Sequence, residues 1–271
     1  MIPLSVVIIT NNEERNIGRC LASVKAIADE IVVVDSFSVD STEQICAEYG
    51  ARFSQHAFEG HIQQKNYAAS LAKNDWVLSL DADEALTPEL QASILAILEN
   101  SPPAKGEYPD TKSSGGGGEK VRPNAYKMNR LTNYCGHWVK HCGWYPDTKL
   151  RLFNRTKGQW GGINPHDKYE LHNKNAPVGF LQGDILHYSF YTVAEHYKQT
   201  EYFSTIAAQA HYQRGKRAYW FNLIINPTVK FLRDYFIKLG FLDGPTGFTI
   251  SRIQAWGNYL KYKKIRALGL K

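Results

Sequence analysis

Two carboxylates with a single residue between them follow an apolar segment of the chain. The sequence LSLDADE places Asp81 and Asp83 directly after an apolar run. Like charges this close raise each other's pKa and repel unless a cation lies between them. Mg²⁺ and Mn²⁺ prefer oxygen ligands and are commonly shared with substrate phosphates. The pair therefore predicts a divalent-cation site for a diphosphate, and the alternative is a solvated turn with a helix-capping aspartate.

A second acidic pair follows another apolar run. The segment EIVVVD ends in Asp35, and Asp40 lies further along the same polar loop. A carboxylate at such a strand end can accept hydrogen bonds from a ribose or a base edge, as acidic residues do in nucleotide-binding sheets. Asp40 is explained equally well as the N-cap of the following helix, so both interpretations of it stay open.

The segments that must position these carboxylates alternate between two periods. Short β-branched runs indicate buried parallel strands, and the segments between them repeat apolar residues with a helical period. This alternation continues from residue 4 to about residue 100 and predicts an α/β fold with a mostly parallel sheet flanked by helices. Ligands bind beyond the carboxyl ends of such strands, and Asn11, Asn12, Asp35 and Asp81 are expected there.

The remainder of the chain changes in character twice. Residues 101–124 are rich in Pro, Gly and Ser, which predicts a flexible surface insertion. Residues 125–190 are aromatic and Gly-rich, with three predicted strands. Residues 191–271 form a basic extension with three predicted helices, the second of which is expected to begin at Asn226 and Pro227.

Charge and cysteine content narrow the class of protein. The 271 residues carry a net charge of +6 and a pI near 9.0, which favours an anionic partner: a phosphorylated substrate, a membrane surface or a nucleic acid. Four cysteines in a chain of this length do not indicate a disulfide framework and fit a reducing compartment. The N-terminus lacks the features of a signal peptide, and no apolar run approaches the roughly 20 residues of a spanning helix. A cytoplasmic location, including the inner face of the cytoplasmic membrane, is expected.

Several of these segments together resemble a known family. The first hundred residues resemble the donor-binding half of glycosyltransferase family 2, which has the GT-A fold and uses nucleotide-diphosphate sugars. The second half is similar to the lipopolysaccharide core β-glucosyltransferases of the WaaE/KdtX type. The segments that carry the resemblance are VVIITNNEERNIGRCLASV, EIVVVDSFSVDST, QKNYA, WVLSLDADE, GWYPDTKLRLFNRTKGQW, PHDKYEL, LHYSFYT and FLDGPTGF.

The resemblance implies a division of the chain and a set of binding residues. Residues 1–190 would form the GT-A domain, with a nucleotide-sugar-binding half at 1–100 and an acceptor and catalytic half at 125–190. Asp81 and Asp83 would form the metal and donor-phosphate site. The residues implied for the nucleotide pocket are Thr10, Asn12, Glu13, Asp35 and Lys65, with Asp40 as a further candidate.

The sequence also departs from the family pattern. Asn11 stands where many relatives have an aromatic residue, and Val39 replaces a usual threonine. The first difference puts base stacking at that position in doubt, and the second removes one hydroxyl group from the loop. The absence of a Q-x-x-R-W pattern argues against a processive polysaccharide synthase.

Sugar transfer with inversion needs a base that takes the proton of the acceptor hydroxyl. In NPHDKYE, Asp167 is the candidate base and His166 a neighbouring acceptor contact; the alternative is an ordinary loop aspartate. Arg151 is interpreted either as a pyrophosphate contact or as part of a salt bridge at the edge of the core. His187 either completes the metal site or is a buried, hydrogen-bonded histidine.

Two further patterns have less specific interpretations. Cys135, His137, His141 and Cys142 only partly match the spacing of zinc ligands, so an aromatic loop on the acceptor side is favoured. The basic, aromatic-rich extension either binds anionic lipid or presents a solvated helix face. Its basic residues are Lys230, Arg233, Lys238, Lys261, Lys263, Lys264 and Arg266.

Taken together, the sequence predicts an inverting, non-processive glycosyltransferase that depends on Mn²⁺ or Mg²⁺. The donor would be a nucleotide-diphosphate hexose such as UDP-glucose, and the acceptor a lipopolysaccharide-core or related cell-surface glycan. The alternatives are a nucleotidyltransferase, disfavoured by the acidic first loop TNNEERN, a nucleic-acid-binding protein, and a non-catalytic glycosyltransferase relative, which the intact D-A-D disfavours. Nothing in the first hundred residues requires nucleic acid, and none is expected as a partner.

Overall fold

The computed structural model describes residues 2–99, 123–163 and 166–269. The chain forms two compact units, here called unit 1 (residues 1–130 and 148–187) and unit 2 (residues 131–147 and 188–271). The predicted insertion at 101–124 lies outside the described residues except for its last two. The predicted extension begins at residue 191, whereas unit 2 also includes residues 131–147, because this segment contributes to the aromatic core described below.

The sheet of unit 1 is built around parallel strands at its N-terminal end. Its order begins β3-β2-β1-β4, and β1 pairs in parallel with both β2 and β4. The order then continues β8-β6-β11-β5, with β8 antiparallel to β4 and β5 antiparallel to β11. The strands are β1 (Leu4–Thr10), β2 (Glu30–Asp35), β3 (Arg52–Gln55), β4 (Trp76–Asp81), β5 (Glu84–Leu86), β6 (Ala125–Tyr134), β8 (Asp147–Asn154) and β11 (Val178–Phe190).

Four helices flank the parallel strands and complete the predicted α/β alternation. In α4, Thr87 accepts a hydrogen bond from the backbone N–H of Leu90 (3.2 Å) and Pro88 occupies the first turn, as the sequence predicts. Apolar residues from β1, β2, β4, α1 and α4 form the main core of unit 1. The helices are α1 (Ile17–Val24), α2 (Thr42–Glu48), α3 (His61–Leu71) and α4 (Pro88–Leu98).

A two-stranded antiparallel sheet, which the sequence analysis did not predict, completes unit 1. It consists of β9 (Gly158–Ile163) and β10 (His166–Leu171), with Asp167 paired to Gly162. Tyr169 stacks on Phe153 of β8 with a ring-centroid distance of 3.6 Å. This contact joins the small sheet to the core beneath it, and it fixes the position of Asp167 on β10.

Unit 2 contains a short strand, β7 (His137–Val139), which pairs with the end of β6, and three helices. They are α5 (Val193–Gln213), α6 (Asn222–Leu232) and α7 (Gly244–Gly269). A capping box formed by Thr192 and Glu195 begins α5. The small core of this unit is aromatic, and its buried residues are Tyr134, Val139, Cys142, Phe190 and Ile250.

The predicted start of α6 at Asn226 and Pro227 is wrong. The helix begins at Asn222, whose side-chain Oδ1 accepts a hydrogen bond from the backbone N–H of Tyr219 (2.9 Å). Pro227 therefore lies inside the helix rather than in its first turn. The helix continues into one π-helical turn, Arg233–Ile237, before Gly240.

Candidate active site

A cleft lies at the carboxyl ends of the parallel strands of unit 1, the edge where the sequence predicts ligand binding. Its volume is about 280 Å³. Thr10 ends β1, Ser36 follows β2 and Asp81 ends β4, so all three strands contribute to it. The lining residues are Ile9, Thr10, Asn11, Glu13, Ser36, Phe58, His61, Gln64, Asp81, Ala82, Asp83 and His187.

Asp83 and His187 face each other in this cleft. The Nε2 atom of His187 lies 3.2 Å from Oδ2 of Asp83. The sheet causes this proximity, because His187 on β11 is the register partner of Glu84, the residue that follows Asp83. One carboxylate and one imidazole leave coordination positions for phosphate oxygens and water, as a site for Mg²⁺ or Mn²⁺ requires. The two residues fit a divalent cation held jointly with a diphosphate.

Asp81 is in a different environment from Asp83. Its Oδ2 accepts a hydrogen bond from Arg151 (2.8 Å), and its Oδ1 lies 3.2 Å from Nζ of Lys65. Burial alone would raise the pKa of Asp81, but the adjacent guanidinium and ammonium groups outweigh it and hold that pKa well below its ordinary value. Both oxygens are engaged by protein cations, so a role of Asp81 as a metal ligand requires one of these pairs to open.

Arg151 joins Asp81 to a second buried carboxylate. Its Nη2 atom also lies 2.9 Å from Oε1 of Glu84, and Arg130 reaches the same oxygen at 3.3 Å. Glu84 in addition accepts a hydrogen bond from the backbone N–H of Asp81 (3.0 Å). Arg151 is buried. The structure therefore places it in a salt bridge at the edge of the core, the second of the two interpretations that the sequence left open.

Lys65 links the strand-end carboxylate to the candidate base. Its Nζ donates to Oδ2 of Asp167 (2.8 Å) and lies 4.8 Å from the centre of the Trp160 ring. Lys65 is itself buried. Its position on α3 and that of Asp167 on β10 bring together residues that are 102 positions apart in the chain. Asp167, Lys65, Asp81, Arg151, Glu84 and Arg130 form one continuous set of ion pairs, here called the charge network.

Glu13 and Thr10 line the cleft. The carboxylate of Glu13 accepts a hydrogen bond from Asn16 (2.7 Å). Burial raises the pKa of Glu13, the hydrogen bond from Asn16 lowers it, and the negative charges of Asp83, Asp40 and Asp81 raise it further. The net shift of this pKa is upward, with burial as its largest cause and the nearby carboxylates adding to it.

Three other predicted nucleotide-pocket residues hold the surrounding loops and are not among the lining residues. Both carboxylate oxygens of Asp35 accept hydrogen bonds from Ser38, one from its backbone N–H at 2.7 Å and one from its hydroxyl. Asn12 has a φ of 54° and accepts a hydrogen bond from the N–H of Val39 (2.9 Å). Asp40 accepts hydrogen bonds from the N–H of Thr42 and from that of Glu14. The N-cap of α2 is Ser41, so Asp40 precedes the cap by one residue and contacts the first residue of the helix instead of capping it.

His166 and the cysteine and histidine set of unit 2 are the remaining candidate residues. His166 begins β10, and only its backbone is described. In unit 2, His137 and His141 both contact the buried carboxylate of Asp243, and the thiol of Cys142 donates to the backbone oxygen of Gly247. Within residues 2–99, 123–163 and 166–269, no cluster of three or more His, Cys, Asp or Glu side chains has the arrangement of a metal site.

Sequence reasoning missed several residues of the site. Glu84 belongs to the segment LSLDADE, yet its charge was not assigned a role. Arg130 and Trp160 lie on strands whose pairing in three dimensions has no local signal. Phe58 and His61, whose rings meet edge to face at 5.1 Å, precede and begin α3, and a cluster of polar and aromatic residues before the helix was their only signal.

Comparisons with known proteins decide the family. The sequence pattern of glycosyl transferase family 2 matches residues 5–163, more than half of the chain. The chain belongs to glycosyltransferase family 2. This result confirms the resemblance predicted from the sequence, the assignment as a glycosyltransferase and the GT-A fold class.

Relatives of this family-2 glycosyltransferase match along nearly its whole length. A glycosyltransferase of Rickettsia typhi is 31% identical over 274 residues, covering 99% of this chain and 88% of the relative. One from Rickettsia prowazekii is 32% identical with the same coverage. The lipopolysaccharide core biosynthesis glycosyltransferase LpsC of Rhizobium meliloti is 27% identical over 282 residues, covering 96% of this chain and 93% of LpsC.

Among solved structures, glucosyl-3-phosphoglycerate synthase of Mycobacterium tuberculosis shows a weak likeness. Its complex with Mn²⁺, UDP-glucose and phosphoglyceric acid is 24% identical over 36% of this chain and 40% of that chain, with a TM-score of 0.32. A second complex of that enzyme has a TM-score of 0.34 at 20% identity, over 49% of this chain and 44% of that chain. Values this low support no comparison of individual residues.

Proposed function

We propose that this glycosyltransferase moves a hexose from a nucleotide-diphosphate sugar, with UDP-glucose as the first candidate, to a glycan acceptor with inversion at the anomeric carbon. The observation that carries the proposal is the pair Asp83 and His187, 3.2 Å apart in a cleft at the ends of the parallel strands. Carboxylate and imidazole ligands beside an open cleft suit Mn²⁺ or Mg²⁺ bound together with a diphosphate.

The cleft residues have distinct tasks in this proposal. A bound cation would neutralise the diphosphate as it leaves the sugar. Asp83 and His187 would hold that cation. Asn11 donates a hydrogen bond to the backbone oxygen of Ser36 (2.7 Å), which keeps the loops after β1 and β2 together around the nucleotide. The charge network fixes Asp81 and Lys65 before substrate binds, and such preorganisation lowers the cost of assembling the transition state.

Asp167 is proposed as the base that takes the proton of the acceptor hydroxyl. The hydroxyl oxygen forms a new bond to the anomeric carbon, the bond from that carbon to the diphosphate oxygen breaks, and the nucleoside diphosphate leaves with the bonding electrons. The proton passes to the carboxylate of Asp167. Lys65, 2.8 Å from this carboxylate, would hold it in position until the acceptor arrives.

The acceptor is proposed to be a lipopolysaccharide-core or related cell-surface glycan, and the enzyme to act in the cytoplasm at the inner face of the cytoplasmic membrane. The support for this acceptor is the resemblance to LpsC along 96% of the chain. A lipid-linked glycan would be presented to a cytoplasmic enzyme at the membrane. None of the helices in the described part of the chain is long and apolar enough to cross a bilayer.

Thermal stabilisation by nucleotide sugars tests the donor site. UDP-, GDP- and ADP-hexoses are added with and without Mn²⁺ to wild type, to Asp83→Asn and to the control Asp75→Asn, an exposed carboxylate of the same unit. We expect one donor class to raise the melting temperature only when metal is present, in wild type and control but not in Asp83→Asn. If no nucleotide sugar changes the melting temperature of wild type, the proposed activity is wrong.

The role of Asp167 is tested by separating turnover from binding. We expect Asp167→Asn to reduce kcat by roughly 10²- to 10⁴-fold while the KM for the donor changes little, because a general base acts in the transition state. A loss confined to the KM for the donor would show instead that Asp167 only positions Lys65. Glu170→Gln, an exposed carboxylate on the same strand, is the matched control.

A further inference from the structure

The basic residues of the chain are concentrated in unit 2. The sequence of unit 2 contains 14 Lys and Arg residues against 5 Asp and Glu, whereas unit 1 contains 18 against 21. The positive charge of the whole protein therefore arises from unit 2, although the nucleotide-sugar cleft lies in unit 1. A bound nucleotide diphosphate does not account for this distribution, which points to a second anionic partner.

The same unit exposes a set of large apolar side chains on α6 and next to it in the chain. The helix α6 has no buried residue along its length. Ile225, Val229 and Leu232 recur at intervals of four and three, so they share one face of the helix, and they are 54%, 55% and 46% exposed. We call these three residues, together with Trp220, Phe236 and Ile237, the α6 surface.

The composition of the α6 surface matches a bilayer interface better than the other anionic partners. Trp220 is 66% exposed just before the helix and Ile237 is 77% exposed just after it. Aliphatic side chains along a helix with an aromatic residue at its end are typical of helices that lie in the headgroup region. Nucleic acid would be contacted chiefly through phosphates by basic side chains, and it gives aliphatic residues little to pack against.

Exposed cations flank the α6 surface on both sides in sequence. Lys216 and Arg217 precede it, and Arg233 and Lys238 lie within or directly after it. The acidic residue of this segment, Asp234, is fully buried and paired with Lys230 and Arg233. A second copy of the chain would bring two surfaces of the same positive sign together, which disfavours self-association as the occupant.

We propose that the α6 surface docks on anionic lipid, with the aliphatic and aromatic side chains in the interface and the flanking cations at the headgroups. This assignment extends the membrane location proposed above and names the residues responsible. Each basic residue near an anionic leaflet adds a favourable electrostatic contribution to the binding free energy, which salt screens. Insertion of apolar side chains adds a contribution that salt does not screen. Binding is therefore expected to weaken, but not to disappear, as salt rises.

Co-sedimentation with vesicles tests the proposal on the full chain without any substrate. The probes are vesicles containing phosphatidylglycerol and vesicles of phosphatidylcholine alone. Wild type is compared with Ile225→Ser/Val229→Ser, and the control Val178→Ser/Phe180→Ser removes two exposed apolar side chains of unit 1. We expect wild type and control to bind the anionic vesicles and the α6 variant to bind at least about tenfold more weakly. Binding to phosphatidylcholine alone should be weak for all three.

Three outcomes would overturn the assignment. The first is that wild type does not bind anionic vesicles, and the second is that the two variants lose binding equally. The third is that wild type forms a concentration-dependent dimer without lipid, seen by sedimentation, which the α6 variant does not form. Donor-dependent thermal stabilisation measured on the same variants separates this proposal from the proposed activity. Suppose that the donor stabilises wild type and the α6 variant alike, but wild type does not bind anionic vesicles. The proposed donor site is then supported and the proposed docking surface is wrong.

Discussion

Unit 1 buries charged side chains, whereas unit 2 exposes apolar ones. In unit 1 the charge network places Lys65, Arg151 and Glu84 almost out of contact with solvent, each with at least one opposite partner. In unit 2 the α6 surface leaves Ile225 and Trp220 more than half exposed. Burying paired charges adds little net stability, and exposing apolar surface adds none. Both arrangements are therefore better explained by function than by folding.

Arg151→Met is the strongest way to break this comparison. Removing the guanidinium leaves Asp81 and Glu84 with one cation fewer in a buried site, so we expect a loss of about 3–5 kcal/mol in the free energy of unfolding. Urea unfolding at neutral pH measures this loss. Arg52→Met, which removes the exposed partner of Glu30, is the control and should cost less than about 1 kcal/mol. A cost at Arg151 as small as that of the control would show that the network does not depend on it.

The pH dependence of the same variant sharpens the interpretation. Because the folded-state pKa of Asp81 lies well below its ordinary value of 3.8, the ionised carboxylate stabilises the folded state above that value. This contribution is lost as the pH falls from 3.8 toward the folded-state pKa. In Arg151→Met the guanidinium no longer opposes the effect of burial on the pKa of Asp81. The depression of this pKa is therefore smaller, and so is the contribution of the ionised carboxylate to stability. We therefore expect the acid-induced loss of stability to be smaller in the variant than in wild type when unfolding is followed down to about pH 3.

The same Val→Ala substitution in each unit is expected to give the next largest difference in the free energy of unfolding. Val33 on β2 is fully buried in the main core, whereas Val229 on α6 is 55% exposed. Val33→Ala should cost about 2 kcal/mol, because it removes two buried methyl groups and leaves a cavity. Val229→Ala should change the free energy of unfolding by less than about 0.5 kcal/mol. A large cost at Val229 would mean that this side chain packs within the folded protein and would count against the α6 surface.

Much of unit 1 follows from sequence because its signals are local. The β-branched runs predict β1, β2 and β4, the Thr87-Pro88 pair predicts the start of α4, and parallel strands bring Thr10 and Asp81 to one edge. The family resemblance of the first half of the chain also rests on short local segments such as WVLSLDADE. The different environments of Asp81 and Asp83 could not be predicted from the sequence. They depend on Arg151, which lies 70 residues away from Asp81 in the chain.

Features set by distant packing escaped prediction. The pairing of Lys65 with Asp167 spans 102 positions, and no local sequence pattern around either residue predicts it. The start of α6 was misplaced because Asn226-Pro227 is a strong local signal, while the side chain of Asn222 stabilises the preceding turn through the N–H of Tyr219. The basic, aromatic extension was recognised from composition, but which of its side chains are exposed depends on packing with α7.

Helix capping is the smallest expected effect, and each unit provides one threonine cap for comparison. Thr87 accepts a hydrogen bond from the N–H of Leu90 in unit 1, and Thr192 accepts one from that of Glu195 in unit 2, both at 3.2 Å. Each Thr→Ala change should cost about 1 kcal/mol in urea unfolding. Thr87→Ala should cost more than Thr192→Ala, because Thr87 also accepts from the N–H of Asp184 on β11 (3.1 Å). Thr→Ser at either position retains the acceptor and should restore most of the stability. A larger loss of stability in Thr192→Ala than in Thr87→Ala would contradict this expectation. It would mean that the hydrogen bonds of Glu195 to the N–H groups of Tyr191 and Thr192 depend on the hydroxyl of Thr192.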